Sequence, residues 1–269
     1  YMLIKFLKKD SNNNLWVLNP YSENNNNIVA IQKNNIDWIH LQDQYGLDDL
    51  NIKPNNSLIP TSFDFGPNGN VWFSFKYHSN DNGVVSSGGI KVLNYQNTLD
   101  DTNDDEWFEI NSSILPGGSN TDVWSLAFTK HLDQDILWIL TPQGAQGYIL
   151  NNTQLIKIYP LDFYANLTFQ QGDKIRVDSQ NNAWISTRHS GIRVIKNNAT
   201  LWPDGEGFSS SNSSLLSDYV YDIDFDNKNG KVYLATDKGI SILNVPFSTE
   251  NEFMESLYVT PQPFVIPSD

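Results

Sequence analysis

Short stretches in which apolar and polar residues alternate recur along this chain, each running into a turn of Asn, Gly or Asp. Lys174-Ile175-Arg176-Val177-Asp178 and Asp222-Ile223-Asp224-Phe225-Asp226 are two of them. A period of two predicts strands with one covered face, and the turns carry hairpin chemistry. The strand after each turn holds an aromatic residue at one repeated position: Trp16, Trp72, Trp138, Trp184 and Tyr233. A glycine-containing turn then leads to a third apolar strand, as in Gly89-Ile90-Lys91-Val92-Leu93, Gly191-Ile192-Arg193-Val194-Ile195 and Gly239-Ile240-Ser241-Ile242-Leu243. A looser outer strand carries Trp38, Trp107 or Trp202.

Four antiparallel strands in units of about 45–50 residues make the blade of a β-propeller. One such sheet has two apolar faces and cannot cover both alone, whereas blades packed face to face around an axis cover each other. The expected fold is therefore all-β, a propeller of about five four-stranded antiparallel blades. It is either a five-bladed ring or part of a larger propeller. The propeller is expected over residues 1–256, with repeats at roughly 1–58, 59–118, 119–168, 169–212 and 213–256, and a tail over 257–269. A partial ring exposes apolar blade faces, which favours closure within the chain. The repeated aromatics read as wedges between blades. Lys174 and Arg176 occupy the repeat positions that hold Asp222 and Asp224 in the next unit. The plainer expectation is that each pair faces solvent on its own; the alternative is that opposite charges meet near the axis.

Composition narrows the function classes. The 269 residues are 39% apolar and 13% aromatic, too aromatic for a disordered chain. A net charge of −14 repels phosphate backbones, so no nucleic-acid partner is expected. The absence of cysteine fixes no compartment. No apolar run is long enough for a transmembrane segment. The chain opens at Tyr1 without a signal peptide, as a fragment or a processed chain does. Runs such as Asn24-Asn25-Asn26-Asn27 read as turn residues that tolerate positive φ.

The repeats resemble the two-component regulator propeller repeat, which reads roughly D-x-x-G-x-[IL]-W-[IV]-G-T-x-x-G-[LI]. The glycine before the motif threonine is Leu140, Ser186 or Ala235 here, and the third unit has Thr129 where the others have Asp. A narrower resemblance covers about the last seventy residues. Leu201-Trp202-Pro203, Asn212-Ser213-Ser214-Leu215-Leu216-Ser217-Asp218, Val220-Tyr221-Asp222-Ile223 and Ala235-Thr236-Asp237-Lys238-Gly239-Ile240 are similar to the last blade of proteins of the PorZ kind, surface components of the type IX secretion system in Bacteroidetes. Leu257-Tyr258-Val259-Thr260-Pro261-Gln262-Pro263-Phe264 resembles the V-x-P-N-P segment that enters a C-terminal β-sandwich in such proteins, with Gln262 where Asn is usual. The resemblance implies the periplasm or cell surface of a Gram-negative bacterium. It also implies recognition of a protein, a glycan or lipopolysaccharide.

Candidate chemistry is sparse. His40, His78, His131 and His189 fall in different units, without metal-ligand spacing. There is no G-x-S-x-G elbow. Gly205-Glu206-Gly207 lacks the Lys-Ser/Thr of a phosphate loop. Asp10-Ser11-Asn12-Asn13-Asn14 starts like a calcium loop, but Leu15 and Tyr21 stand where Gly and Glu are needed, so a hairpin turn explains it better. Asp100, Asp101, Asp104, Asp105 and Glu106 read as a solvated loop rather than a loose calcium site. Asp10, Asp64, Asp178 and Asp226 read as turn formers at one position of each blade, since an active site breaks the repeat symmetry. No catalytic, cofactor-binding or metal residue is expected, and no ligand-binding residue is named. The leading expectation is a noncatalytic extracytoplasmic binding or scaffold module. The alternatives are the periplasmic sensor domain of a hybrid two-component regulator and a propeller glycoside hydrolase.

Overall fold

The computed structural model describes residues 4–20, 28–33, 37–41, 60–81, 83–101, 103–131, 134–151, 154–157 and 167–245. The expected tail at 257–269 and the run at Asn24 lie outside them. The strands form five antiparallel sheets in chain order. Blade 1 is β1 (Phe6–Lys9), β2 (Leu15–Leu18), β3 (Val29–Lys33) and β4 (Asp37–His40). Blade 2 is β5 (Pro60–Phe65), β6 (Val71–Asn80), β7 (Gly83–Asn94) and β8 (Glu106–Glu109). Blade 3 is β9 (Ser125–His131), β10 (Gln134–Thr141), β11 (Gly144–Asn151) and β12 (Gln154–Lys157). Blade 4 is β13 (Lys174–Val177), β14 (Ala183–Ser186), β15 (Ile192–Ile195) and β16 (Leu201–Trp202). Blade 5 has three strands among the described residues: β17 (Val220–Asp226), β18 (Lys231–Thr236) and β19 (Gly239–Asn244). The chain is a five-bladed β-propeller. The first strand of every blade lies at the axis, where β1, β5, β9, β13 and β17 adjoin in order.

One register repeats. Lys8, Asp64, Ala127, Arg176 and Asp224 stand opposite Trp16, Trp72, Trp138, Trp184 and Tyr233. Side chains alternate between faces, so each aromatic shares a face with its inner-strand partner, and in blades 1 to 4 that face meets the next blade. Trp16 packs edge-on against Phe65 at 5.5 Å, Trp72 against Phe128 at 5.4 Å and Trp184 against Phe225 at 5.8 Å. Trp138 joins the core that Ile175, Ile185 and Val177 supply from blade 4. Each aromatic pair adds about 0.5–1.5 kcal/mol beyond the burial itself.

A buried indole N–H needs an acceptor, and here the turn supplies it. Asp178 Oδ2 accepts from Trp184 Nε1 at 2.8 Å and from Asn182 Nδ2, while Oδ1 accepts from the backbone of Gln180 and Asn182. Asp10 makes the same knot with Trp16, Asn12 and Asn14. In blade 3, Trp138 Nε1 donates to Thr129 Oγ1 at 3.0 Å, so the departure from the motif keeps its acceptor. Blade 2 differs. The residue six before Trp72 is Gly66, and a Cβ there would sit 2.6 Å from the indole nitrogen. Asp64, expected beside the turn, instead lies two residues earlier on β5, at the axis. Asp226 ends β17 opposite Lys231 and accepts from Asn229 across the turn.

Inner strands leave backbone donors on their axial edges, which need cover. The preceding blade provides acceptors. Leu126 N donates to Ser62 Oγ, Phe128 N to Asp64 Oδ2 and Ile175 N to Ser125 Oγ.

The fifth junction is the exception. Ile192 and Val194 of β15, on the Trp184 face, are 0% exposed. Their counterparts Ile240 and Ile242 of β19, on the Tyr233 face, are 66% and 57% exposed. Leu7, on the opposite face of blade 1, is also exposed. Blade 5 thus covers its face toward blade 4 through Ile223, Val232 and Leu234, and leaves its other face open to the axial cavity.

Two expectations follow for urea denaturation. Ile192→Asp places an unpaired charge in a closed junction and should cost more than about 4 kcal/mol, while Ile240→Asp should stay within about 0.5 kcal/mol of the parent. Asp178→Ala should cost about 2–3 kcal/mol, because it strands the Trp184 N–H and opens the turn; Asp226→Ala, which touches no indole, should cost under about 1 kcal/mol.

Candidate functional site

The inner strands run in one direction, and the axis they surround holds two cavities. The first, of about 480 Å³, lies where the inner strands begin. Ile4, Lys5, Thr61, Trp124, Lys174, Arg188 and Tyr221 are among its lining residues. The second, of about 560 Å³, lies further along the strands, with walls from Phe6, Leu126, Ile175, Phe225 and Tyr233 and an opening toward Leu7 and Ile240. Both volumes suit a small ligand or a few sugar units.

Asp222 lines both cavities and forms the partition between them. Lys174 Nζ donates to its Oδ2 at 2.6 Å. Arg176 takes it bidentately, Nε to Oδ1 at 2.8 Å and Nη2 to Oδ2 at 3.0 Å. Opposite charges on the two units therefore do meet at the axis, and Asp222 alone receives both cations. The plainer expectation fails because Arg176 and Asp222, on adjacent inner strands, line the same axial cavity within hydrogen-bond reach of each other. Burial by itself raises the Asp222 carboxyl; hydrogen bonds from Arg176 and the charges of Arg176 and Lys174 outweigh it and bring it down to about 2. Lys174 goes below its usual range, because burial and the charges of Arg176 and Arg188 exceed the pull of Asp222. The Arg176 guanidinium also lies 4.2 Å from the Phe6 ring centre, tying blade 4 to blade 1 across the axis.

Asp64 and Asp173 are engaged as well, while Asp224, on the wall of the second cavity, is exposed and accepts from Phe225 N. Asp64 pairs with Lys8 of blade 1 and accepts from Phe128 N of blade 3, so one side chain holds three blades. Asp173 is buried and accepts from the backbone of Gln170 and Arg188; burial raises its carboxyl, and those two hydrogen bonds work against the rise.

The remaining sequence candidates stay apart. The four histidines sit in separate blades or loops; His189 lies beside Gln170 at 3.3 Å. Among the described residues no three His, Asp or Glu side chains converge as a metal site, and no helix is long and apolar enough to cross a membrane. In the acidic loop, Asp104 accepts from Thr98, Asp101 from Asn103, and Asp100 pairs with Lys33. Burial, then the charges of Asp104 and Asp101, raise Asp105 to about 6. Gly207 sits against the backbone of Ile192, whose strand pairs with Phe208. Sequence reasoning passed over Lys5, Arg188 and Tyr221. They precede an inner strand, follow an aromatic strand and occupy a bulge in β17, so no repeat position flags them.

No protein-family model and no curated protein sequence matches the chain. Solved structures do match its fold. PorZ, an essential bacterial surface component of the type IX secretion system of Porphyromonas gingivalis, superposes with a TM-score of 0.64 at 17% identity, over 93% of this chain and 33% of PorZ. The chain thus spans about a third of PorZ's length. A gluconolactonase from Xanthomonas campestris gives 0.53 at 12% identity, over 89% of this chain and 71% of that one. The extracellular domain of a hybrid two-component system from Bacteroides thetaiotaomicron gives 0.39 at 17% identity, over 90% and 36%. At these identities the likeness is one of fold.

The Asp222 partition makes stability depend on acid. Its carboxyl is lower in the fold than the ordinary 3.8, so its contribution is complete above about pH 4 and disappears as pH falls toward 2. That contribution is at most about 2 kcal/mol, reduced by solvent screening at the half-open axis. Urea midpoints measured from pH 6 to 2.5 should fall over that window in the parent, and the Asp222→Asn variant should start lower and fall less.

Proposed function

We propose that this chain is a noncatalytic binding and scaffold module of a bacterial envelope protein, which uses the mouths of its axis to hold a glycan, lipopolysaccharide or a protein partner. The observation that carries the reading is that Asp64, Asp173 and Asp222 are each engaged by a cation or by backbone N–H groups, which leaves exposed Asp224 facing no second uncommitted carboxyl among the residues that line the second cavity. Glycoside hydrolysis needs one carboxylic acid and one carboxylate facing each other across the scissile bond. A carboxyl brought down to about 2, as Asp222 is, cannot serve as the acid at neutral pH.

The fold shared with PorZ supports an envelope location and a role in surface assembly. The propeller frame also carries lactone hydrolysis in other proteins, and a frame of this kind does not choose between chemistries. The choice rests on the axial side chains.

The reading is tested by two measurements on the purified chain. A screen against immobilised glycans and lipopolysaccharides, with a pull-down from envelope extract, should return at least one saturable ligand. Incubation with gluconolactone and aryl glycosides should give no turnover above the buffer rate. Turnover that disappears on changing an axial residue would sink the noncatalytic reading, and a chain that binds nothing in either assay would sink the binding one.

A further inference from the structure

At each closed junction the next blade supplies two things to the repeated aromatic. The first is an apolar side chain, from the inner-strand residue that follows the one opposite the aromatic. Phe65, Phe128 and Phe225 fill that position against Trp16, Trp72 and Trp184, and Val177 packs against the core that holds Trp138. The second is a counter-group for the charge beside the aromatic. Lys8, opposite Trp16, pairs with Asp64 of blade 2. Asp64, opposite Trp72, accepts from Phe128 N of blade 3. Arg176, opposite Trp184, is held by Asp222 of blade 5. Blade 3 has the uncharged Ala127 at this place and needs no counter-group.

The junction after blade 5 has neither. Blade 1 carries Lys9 where blade 2 has Phe65, and the Lys9 ammonium donates to Asn13 Oδ1 at 2.9 Å in its own turn. Lys8 is already taken by Asp64. Among the described residues Tyr233 makes no ring contact with blade 1. Asp224, opposite Tyr233, is exposed, and its one hydrogen bond among them comes from the adjacent Phe225 N. Cross-strand partners on one face stand about 5 Å apart at Cβ, so this ring and this carboxylate are neighbours. Both line the cavity of about 560 Å³, together with Phe6, Leu7, Ile175 and Ile240. That size suits a small organic ligand. The other charges on the wall are paired, Lys8 with Asp64 and Arg176 with Asp222, so Asp224 leaves the cavity one net negative charge. The net charge of −14 on the whole chain adds to the attraction for a cation.

We propose that this cavity binds an arylalkylamine, whose ring takes the place that Phe65, Phe128 and Phe225 take at the other junctions and whose ammonium pairs with Asp224. The ring packs edge-on against Tyr233 with Leu7 and Ile240 around it, and the ammonium lies within reach of both the carboxylate and the phenol face. A neutral arene leaves the carboxylate without a counter-charge. An aliphatic amine leaves the Tyr233 ring uncovered, and an aryl carboxylate meets a like charge.

Calorimetric titration of the chain at low salt tests this with four probes: phenethylamine, phenethyl alcohol, 3-phenylpropanoate and n-butylamine. Phenethylamine should bind about tenfold or more tighter than each of the other three. Asp224→Asn should weaken phenethylamine about tenfold or more and leave phenethyl alcohol unchanged. Asp226→Asn removes the same formal charge from the same strand, at a residue that does not line the cavity, and should leave both unchanged. Tyr233→Ala should weaken phenethylamine and phenethyl alcohol alike. Urea midpoints confirm that each variant folds, and if Tyr233→Ala does not, the two Asp variants decide. Phenethyl alcohol binding as tightly as phenethylamine, equal losses in Asp224→Asn and Asp226→Asn, or no binding of phenethylamine overturns the site. The envelope-module reading is tested separately by the glycan screen and stands or falls there.

Discussion

The structure depends on one contact made repeatedly: an indole on the second strand of a blade pressed against the inner strand of the next. The contact joins two scales. Its apolar part closes the space between sheets, and its N–H ties the ring to the turn that formed the strand. Trp16 and Trp184 end on Asp10 and Asp178, and Trp138 ends on Thr129. A hairpin that forms the wrong turn therefore loses its acceptor as well as its register. Local and tertiary structure specify the same answer at these positions, as a chain that folds to one state requires.

At the axis, where apolar wedges give way to polar edges, ion pairs take over. Asp64 is shared among blades 1, 2 and 3, and Asp222 is gripped by two cations of blade 4. Hydroxyls of Ser62 and Ser125 fill in where the edges lack charge. The axis is therefore stitched by residues that differ in every blade. That asymmetry gives the two cavities different characters, one apolar along its wall and the other cationic at its mouth.

The repeat made the fold legible in the sequence. Trp16, Trp72, Trp138, Trp184 and Tyr233 fall at one register position, and the outer-strand Trp38, Trp107 and Trp202 lie on β4, β8 and β16. The aspartates were less legible. Asp64 looked like Asp10 and Asp178 because all three precede a turn, yet it sits two residues earlier in register, on an edge rather than in a knot. The mouth formed by Lys5, Arg188 and Tyr221 was not legible at all. Its members lie far apart in the chain and at unlike points of their repeats, and they meet only because the blades curve around one axis. Periodicity reports what each blade must share, whereas a binding site draws on what one blade does not.

The Tyr233 face of blade 5, where Ile240 and Ile242 are exposed, and the face of blade 1 that carries exposed Leu7 are the two halves of a junction that the other four places complete. The rule that joins blades has a direction, second-strand aromatic to the inner strand of the next blade, so the two ends are not interchangeable. Anything added between them must present an inner-strand face to Tyr233 and a second-strand aromatic to Leu7. A single strand cannot offer both, nor can a hairpin taken from the middle of a blade; a whole repeat can. Rings built on this pattern therefore change size in units of one complete repeat, which makes tandem duplication the natural step by which such genes lengthen or shorten.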